Sequence, residues 1–438
     1  MITVVGMEAI CHDSSLNRRR MDFTAIPSTY LNKSPERLIV NNGILDVLTG
    51  DLADHTPAEM YTMRINVNYD PDVEIPDTFE KYLTSTFKGV EWQIPIIQEM
   101  IGYCLYKKYF IEKFFFLVGN GSNGKSVMIN LITRLLGQEN ISAMDIHEIC
   151  YPKDIHSLKS LHGKLANLCG ETGDADIKNL GKLKKVTGRD LIRSRDLYKS
   201  WIEFYNFAKI IVSMNNPPTI KDGIKGAKRR LVIITFPNEF NLGINADENL
   251  EDKLFTPESL TGVLNWALTG LHRLIENGKF SDPRTEAQIT NRYEKISGPV
   301  KCFVEAHIDE IDRGYLNEKT GKIEYSDYGW KIVFEKSRLT FAEIYEAYVK
   351  YAKKQALPIP KQADIIKCVT DECIRLEYAY LITRDRYEKD EDGKPRPWYE
   401  YFKGLKLCGT ESLDSDEITL FDEEPEKFDE EPENSATV

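Results

Sequence analysis

Apolar residues recur along this chain at two spacings, and the switch between them marks its modules. Up to about residue 75, short runs such as RLIVNNGILDVLTG, punctuated by Asn-Gly and Thr-Gly pairs, predict small strands joined by turns. From PDTFEKYLTSTF to WQIPIIQEMIGYCLYKKYF the apolar positions return every three or four residues, which predicts helices. Between residues 113 and 240 four apolar runs, FFFLV, KLANLC, AKIIVSM and RRLVIITF, are separated by helical or basic segments. A largely parallel sheet wrapped by helices requires that alternation. The stretches ESLTGVLNWALTGLHRLIENG and TEAQITNRYEKISG predict a helical lid on the sheet. Beyond residue 299, the helices TFAEIYEAYVKYAKKQ and KQADIIKCVTDECIRL precede a polar hairpin around EDGKPRP, the order of a winged helix. The predicted class is therefore α/β: a small α/β or helical domain at 1–112, a parallel-sheet core at 113–245, a helical lid at 246–298, a winged-helix-like domain at 299–410 and a tail at 411–438.

Composition adds two constraints. The 438 residues exceed the roughly 250–300 at which one core stops growing, so several modules are expected. No apolar run is long enough to cross a bilayer and no cleavable leader pattern opens the chain, so a soluble, cytoplasmic protein without a membrane partner is expected. The eight cysteines lack zinc-finger spacing and read as reduced thiols. Taken alone, the net charge of -12 argues against a nucleic-acid partner, but its distribution reverses that impression. Residues 411–438 hold twelve acids and one lysine, a charge of -11, which leaves only -1 for the other 410 residues. Such a tail is expected to be disordered. Within the near-neutral body, KNLGKLKKVTGRDLIRSRDLYKS and IKDGIKGAKRRL are concentrated basic stretches, compatible with DNA or RNA.

The chemistry is carried by FFFLVGNGSNGKSVMINLITRLLG, where Gly119, Gly124, Lys125 and Ser126 stand at the G-x-x-x-x-G-K-S spacing of a phosphate-binding loop. Glycines let backbone N–H groups curl around phosphate oxygens, the following helix N-terminus favours negative charge, Lys125 reaches the β and γ phosphates, and Ser126 ligates magnesium. The strand before it and the helix after it supply the context that the motif requires. Glu171, which follows the apolar run KLANLC after Gly170, is the candidate for the magnesium-side acid and for polarising the attacking water, a role that Asp174 or Asp176 could share. Asn215, at the end of IIVSM, is placed to orient that water or to sense the γ phosphate. Arg229 and Arg230 open the last strand and suit an arginine finger that reaches a phosphate across a subunit boundary. Tyr198 beside Lys199 offers stacking next to phosphate neutralisation, which suits a single strand bound without sequence preference.

The segments GNGSNGKS, GKLANLCGETG, KKVTGRDLIRSRDLYK, IIVSMNNPP and KRRLVIITFP, in that order and spacing, resemble the superfamily 3 helicases, in particular the helicase half of poxvirus and phage or plasmid primase-helicases. The stretch from LIVNNGILDVLTGDL to QEMIGYCLY also looks like the small domain that precedes that helicase. The match spans about residues 38–240, and 299–408 more loosely. The resemblance implies an AAA+ P-loop core in a hexameric ring that hydrolyses ATP with Mg2+ at subunit interfaces while translocating on single-stranded and forked DNA. By the same resemblance Gly119, Asn120, Gly121, Ser122, Asn123, Gly124, Lys125 and Ser126 form Walker A, Glu171 Walker B and Asn215 sensor 1, with Arg229 or Arg230 the finger. A hairpin within 185–199 would enter the channel, drawing on Lys185, Arg193 and Arg195 and with Lys199 near its tip. Two departures stand out: ETGDAD delays the acids that often follow the first, and only about 37 residues precede the match. Priming would then be absent or come from a separate primase or polymerase, recruited through the acidic tail. The competing reading is an ATP-dependent DNA-binding initiator or scaffold without processive unwinding; a small-molecule kinase would leave the basic hairpin and the arginine pair without a task.

Overall fold

A computed structural model of the chain describes residues 34–56, 61–119, 121–151, 156–170, 177, 180–195, 201–218, 229–241, 243–310, 314–317, 322–325, 339–355, 357, 359–376, 378, 381–386, 398–403 and 405–408. The acidic tail of 411–438 lies outside them. The chain divides into two compact units, Met1–Pro283 and Arg284–Val438, a boundary that falls inside the stretch 246–298. No helix of the described residues is long and apolar enough to cross a membrane.

The first unit opens with an antiparallel meander, β1 (Arg37–Val40), β2 (Gly43–Asp46) and β3 (Leu52–Ala53). Asn41 and Asn42 make the two-residue turn between β1 and β2, as the NNG signal demands. Two helices follow, α1 (Asp77–Thr86) and α2 (Ile94–Leu105). Every residue of α2 from Ile96 to Leu105 is buried, so this helix forms core on all sides.

The central sheet has β4 (Phe114–Val118), β5 (Ile141–Ser142), β6 (Ala166–Cys169), β9 (Lys209–Met214) and β10 (Leu231–Thr235). Its order is β10-β4-β9-β6-β5, and every pairing is parallel. Between these strands run α3 (Lys125–Leu136), α4 (Ile146–Cys150), α5 (Gly181–Thr187) and an antiparallel hairpin of β7 (Leu191–Ser194) and β8 (Ile202–Tyr205). The four apolar runs legible in the sequence are β4, β6, β9 and β10. Each is buried along its whole length, as a sheet covered on both faces requires. The fifth strand, β5, has two residues, too few to leave a periodic signal. Strand β10 is an edge, and the Gln93 side chain covers its end: its amide accepts from Thr235 N at 2.8 Å and donates to Thr235 O at 3.1 Å.

The unit closes with α6 (Leu250–Leu254) and α7 (Pro257–Asn277). Helices α2 and α7 pack through reciprocal glycines: a Cβ on Gly102 would sit 2.1 Å from Ala267 O, and one on Gly270 would sit 2.5 Å from Gln98 O. That close approach buries Glu99 completely, and its carboxylate is paired accordingly. Arg273 Nε donates to it at 2.8 Å, as do Ser281 N at 2.8 Å and Ser281 Oγ at 2.5 Å.

Strand β9 is fixed at its base by a buried lysine. Lys209 Nζ donates to the carbonyls of Tyr106 and, at 3.3 Å, Lys108, and lies 4.3 Å from the Tyr103 ring centroid. Burial pushes this amine down to about 7. The unfolded chain, with an ordinary lysine, therefore holds more protons than the folded one between pH 7 and about 10.4. Stability relative to a Lys209→Met variant should accordingly rise with pH across that window, by at most about 1.4 kcal/mol per pH unit, and be independent of pH below it. Denaturant midpoints of the two proteins at pH 6, 8 and 9.5 check this; a constant difference would place the charge elsewhere.

The second unit contains α8 (Glu286–Ser297), α9 (Pro299–His307), α10 (Phe341–Lys354) and α11 (Gln362–Arg375). Thr285 with Gln288, and Thr340 with Glu343, form capping boxes that start α8 and α10. Its strands are β11 (Ile308–Glu310), β12 (Gly314–Asn317), β13 (Lys322–Tyr325), β14 (Leu339–Thr340), β15 (Leu381–Arg386), β16 (Trp398–Lys403) and β17 (Leu405–Leu407). Strands β14, β16 and β15 form one antiparallel sheet in that order, with α10 and α11 between β14 and β15 in the chain. Phe303, Tyr348, Ile365, Val369 and Phe402 fill the core of this unit.

Candidate functional site

Because every strand of the central sheet is parallel, the segments after β4, β6 and β9 leave it at one edge. A cavity of about 910 Å³ opens there, lined by Gly121 to Val127, Gly170, Asn215 and Asn216, by α1, and by residues 245–253. Its volume suits a ligand the size of a nucleotide.

The loop between β4 and α3 is fixed by contacts with α1 and with the segment after β10. Gly124 has φ +86°, the left-handed region, and lies against Thr86 and Tyr82, so a side chain there would be both strained and crowded. Asn123, nearly fully buried, donates to Phe236 O at 3.2 Å and so ties the loop to the end of β10. Phe240 N donates to Ser122 O at 2.7 Å. From α1, the Tyr82 hydroxyl donates to Gly124 O at 2.9 Å. Burial, with Glu251 as a second cause, raises the Tyr82 hydroxyl far above the usual phenol range, so it remains a donor.

Lys125 is the hub of the site. Its ammonium, 7% exposed, donates to Gly119 O at 2.5 Å, Asn123 Oδ1 at 2.9 Å and Asn215 Oδ1 at 3.2 Å. Two residues ninety positions apart thus meet across the gap between β4 and β9. Ser126 follows on the first turn of α3, exposed to the cavity and without a hydrogen-bond partner among the described residues. No cluster of three or more His, Cys, Asp or Glu suited to a metal occurs among the described residues. Gly170 lines the cavity, but Glu171 after it lies outside the described residues, as do Asn120, Asp174, Asp176, Tyr198 and Lys199.

The two arginines stand at the other edge of the sheet. Phe114 N donates to Arg230 O, which sets both arginines level with the start of β4. Five residues of strand separate them from the phosphate-binding loop, ~16 Å at about 3.3 Å per residue. Arg230 turns into its own subunit: it pairs with Glu112 at 2.5 Å and donates to Lys184 O and, at 3.4 Å, Thr187 Oγ1. The Arg229 side chain is exposed and has no partner among the described residues.

The basic stretch after Lys185 divides between two elements. Lys185 is half-buried on α5, whereas Arg193 lies on β7 and Arg195 directly after it. Two contributors escaped the sequence reading. Tyr82 and its neighbours Thr78, Lys81 and Ser85 form one face of α1 that lines the cavity, but their spacing resembles any solvated helix face. Trp201 was detectable as an aromatic residue just beyond a basic run.

Two family models match this chain: D5 N terminal like over residues 17–88, and a family of unknown function, DUF5906, over residues 117–230. Among curated proteins it is 28% identical over 304 residues to "Putative helicase L207/L206" of Acanthamoeba polyphaga mimivirus, covering 62% of this chain and 30% of the relative. It is 23% identical over 330 residues to "Putative helicase 121R" of Invertebrate iridescent virus 3, covering 68% and 35%, and 28% identical over 214 residues to "Putative helicase 022R" of Frog virus 3, covering 43% and 21%. The chain thus spans 21 to 35% of the length of these relatives. Among solved structures, the NrS-1 C-terminal region aligns over 85% of this chain and 84% of its own at 13% identity, with a TM-score of 0.42. These three sequence relatives come from viruses and bear the helicase name, and the two matched family regions hold α1 and the loop between β4 and α3 respectively.

Proposed function

We propose that this chain is an ATP-driven motor of a viral replication helicase, acting on single-stranded and forked DNA from within a ring of identical subunits, six by the family resemblance. The observation that carries this reading is the contact between Lys125 and Asn215 at one edge of the sheet, with the exposed Arg229 at the other. A nucleotide triphosphate in the cavity would place its terminal phosphate at the Lys125 ammonium, beside the Asn215 amide. Asn215 then orients the attacking water, and Glu171, next after Gly170 on the cavity wall, accepts its proton. The open Ser126 hydroxyl and Glu171 would hold Mg2+, which when bound neutralises charge across the β and γ phosphate oxygens. A site with few protein ligands suits this ion, which keeps its waters and binds mainly through substrate phosphates. Lying ~16 Å from its own loop, Arg229 completes a neighbour's site. Such a heterologous contact repeats around a closed ring.

The β7–β8 hairpin supplies the DNA contact, with Arg193 and Arg195 on its arm and Tyr198 and Lys199 in its tip sequence. On this reading the second unit is winged-helix-like, but its helix α11 offers no surplus of positive charge. Asp364, Glu372 and Asp371 outnumber Lys367 and Arg375, and Arg375 is already paired with Glu305 and Glu372. This favours docking of a protein, such as a separate primase or polymerase, over reading of duplex DNA. Replication of this kind would take place in the cytoplasm of the host.

The test is strand displacement from a forked DNA with ATP and Mg2+, alongside ATP turnover with and without single-stranded DNA. Displacement with stimulated turnover is expected. Stimulated turnover with no strand released would favour an initiator or scaffold instead.

A further inference from the structure

The hairpin has one buried face and one exposed face. Strand β7 pairs with β8 as Leu191↔Tyr205 and Arg193↔Glu203, the last rung is Ser194↔Ile202, and Arg195 and Trp201 stand directly beyond it. Ile192, Ser194 and Phe204, between these positions, are buried. Alternation therefore puts Leu191, Arg193, Glu203 and Tyr205 on a single face, and Arg193 and Arg195 both reach the Trp201 ring. Trp201 is 40% exposed and Tyr205 65%.

The two arginines share one indole. Each guanidinium carbon lies 4.6 Å from the Trp201 ring centroid. The negative charge on the ring faces attracts each guanidinium and offsets the repulsion between the two like charges. Arg193 has Glu203 at 3.8 Å, a pair more than half exposed on both sides and weak in water. Arg195 Nε is shielded from solvent and has no hydrogen-bond partner among the described residues. A guanidinium offers its N–H groups in a planar fork, and charge makes an anionic oxygen the fitting acceptor. Arg193 and Arg195 stand ~7 Å apart along the strand, a separation that suits successive phosphates of an extended single strand.

We propose that Trp201 is a positioning residue that holds Arg193 and Arg195 side by side for two neighbouring phosphates of single-stranded DNA. The proposal rests on the reading of this chain as a DNA motor. The indole makes no phosphate contact itself; it removes rotamer freedom from two long side chains before the strand arrives.

The test uses the salt dependence of binding to an oligodeoxythymidine, because each phosphate neutralised on a single strand contributes about 0.7 to the slope of log affinity against log salt. Arg193→Gln and Arg195→Gln should each lower the slope by about 0.7. Trp201→Leu, which keeps apolar bulk and removes no charge, should lower it by about 0.7 to 1.4, and Trp201→Phe should restore it. A neutral substitution that changes the count of released ions is the signature of positioning. If Trp201→Leu keeps the wild-type slope, the proposal is overturned: lost affinity at that slope would mean that the ring stacks on a base, and kept affinity that it has no part in binding. If the unaltered protein fails to bind the oligonucleotide, the DNA reading itself falls.

Discussion

Arg229→Ala is expected to lower DNA-stimulated ATP turnover by about 10³- to 10⁵-fold, the range over which a trans arginine acts in related phosphoryl transfer, while leaving the unfolding midpoint unchanged. Arg229 is exposed and uncommitted among the described residues, and its backbone carbonyl, not its side chain, serves the fold by accepting from Lys113 Nζ at 2.6 Å. Arg230→Ala should show the opposite profile. Its guanidinium joins Glu112, Lys184 O and Thr187 Oγ1, so removing it strands the Glu112 carboxylate and lowers stability first. The trans assignment has its own test in mixed rings. Subunits carrying Arg229→Ala retain an intact loop, and subunits carrying Lys125→Met retain an intact arginine. Mixed one to one, each protein inactive alone, they should recover activity at about a quarter of the interfaces, because each heterologous contact draws the loop from one subunit and the arginine from the next. No recovery would mean that Arg229 acts within its own subunit or not at all.

Lys125→Met should reduce turnover by about 10²- to 10³-fold, the usual loss when one preorganised donor to a developing charge is removed. The reason lies in how the ammonium is held. Three oxygens, from Gly119, Asn123 and Asn215, hold it on the cavity wall, 7% exposed, so it is positioned before a phosphate arrives and exchanges one of these acceptors for a phosphate oxygen. Asn215→Ala removes one of those holds and should cost less than Lys125→Met. The double variant should cost scarcely more than Lys125→Met alone, since residues that act as a unit lose activity non-additively. Steady-state turnover of the three proteins decides the point, and independent, additive losses would separate Asn215 from the lysine.

How much of this was legible beforehand depends on how local the cause is. The phosphate-binding loop and the four long strands carry their signals within a few residues, through glycine spacing and unbroken apolar runs. The ordering of Lys125, Asn215 and the arginine pair could be read because the strands are all parallel and chain order maps onto sheet edges. Which of Arg229 and Arg230 turns its side chain into its own subunit could not be read. The partners of Arg230, Glu112 and Thr187, lie 118 and 43 residues earlier in the chain. Strand β5 was hidden by its shortness, and the cavity face of α1 by its polarity: Thr78, Lys81 and Ser85 line a pocket, yet read like residues facing water. The pairing of Trp201 with two arginines depends on hairpin register, which sequence fixes only where one face is buried.

The hydrogen bond from Tyr82 to Gly124 O has a practical corollary for dissecting this protein. The phosphate-binding turn takes part of its shape from a helix that begins at Asp77, some forty residues ahead of it and on the far side of a family boundary. A fragment cut at residue 113 would keep every motif residue yet lose the α1 wall of the cavity. On the proposed reading, the smallest piece expected to bind a nucleotide firmly is therefore defined by that tyrosine and begins no later than α1.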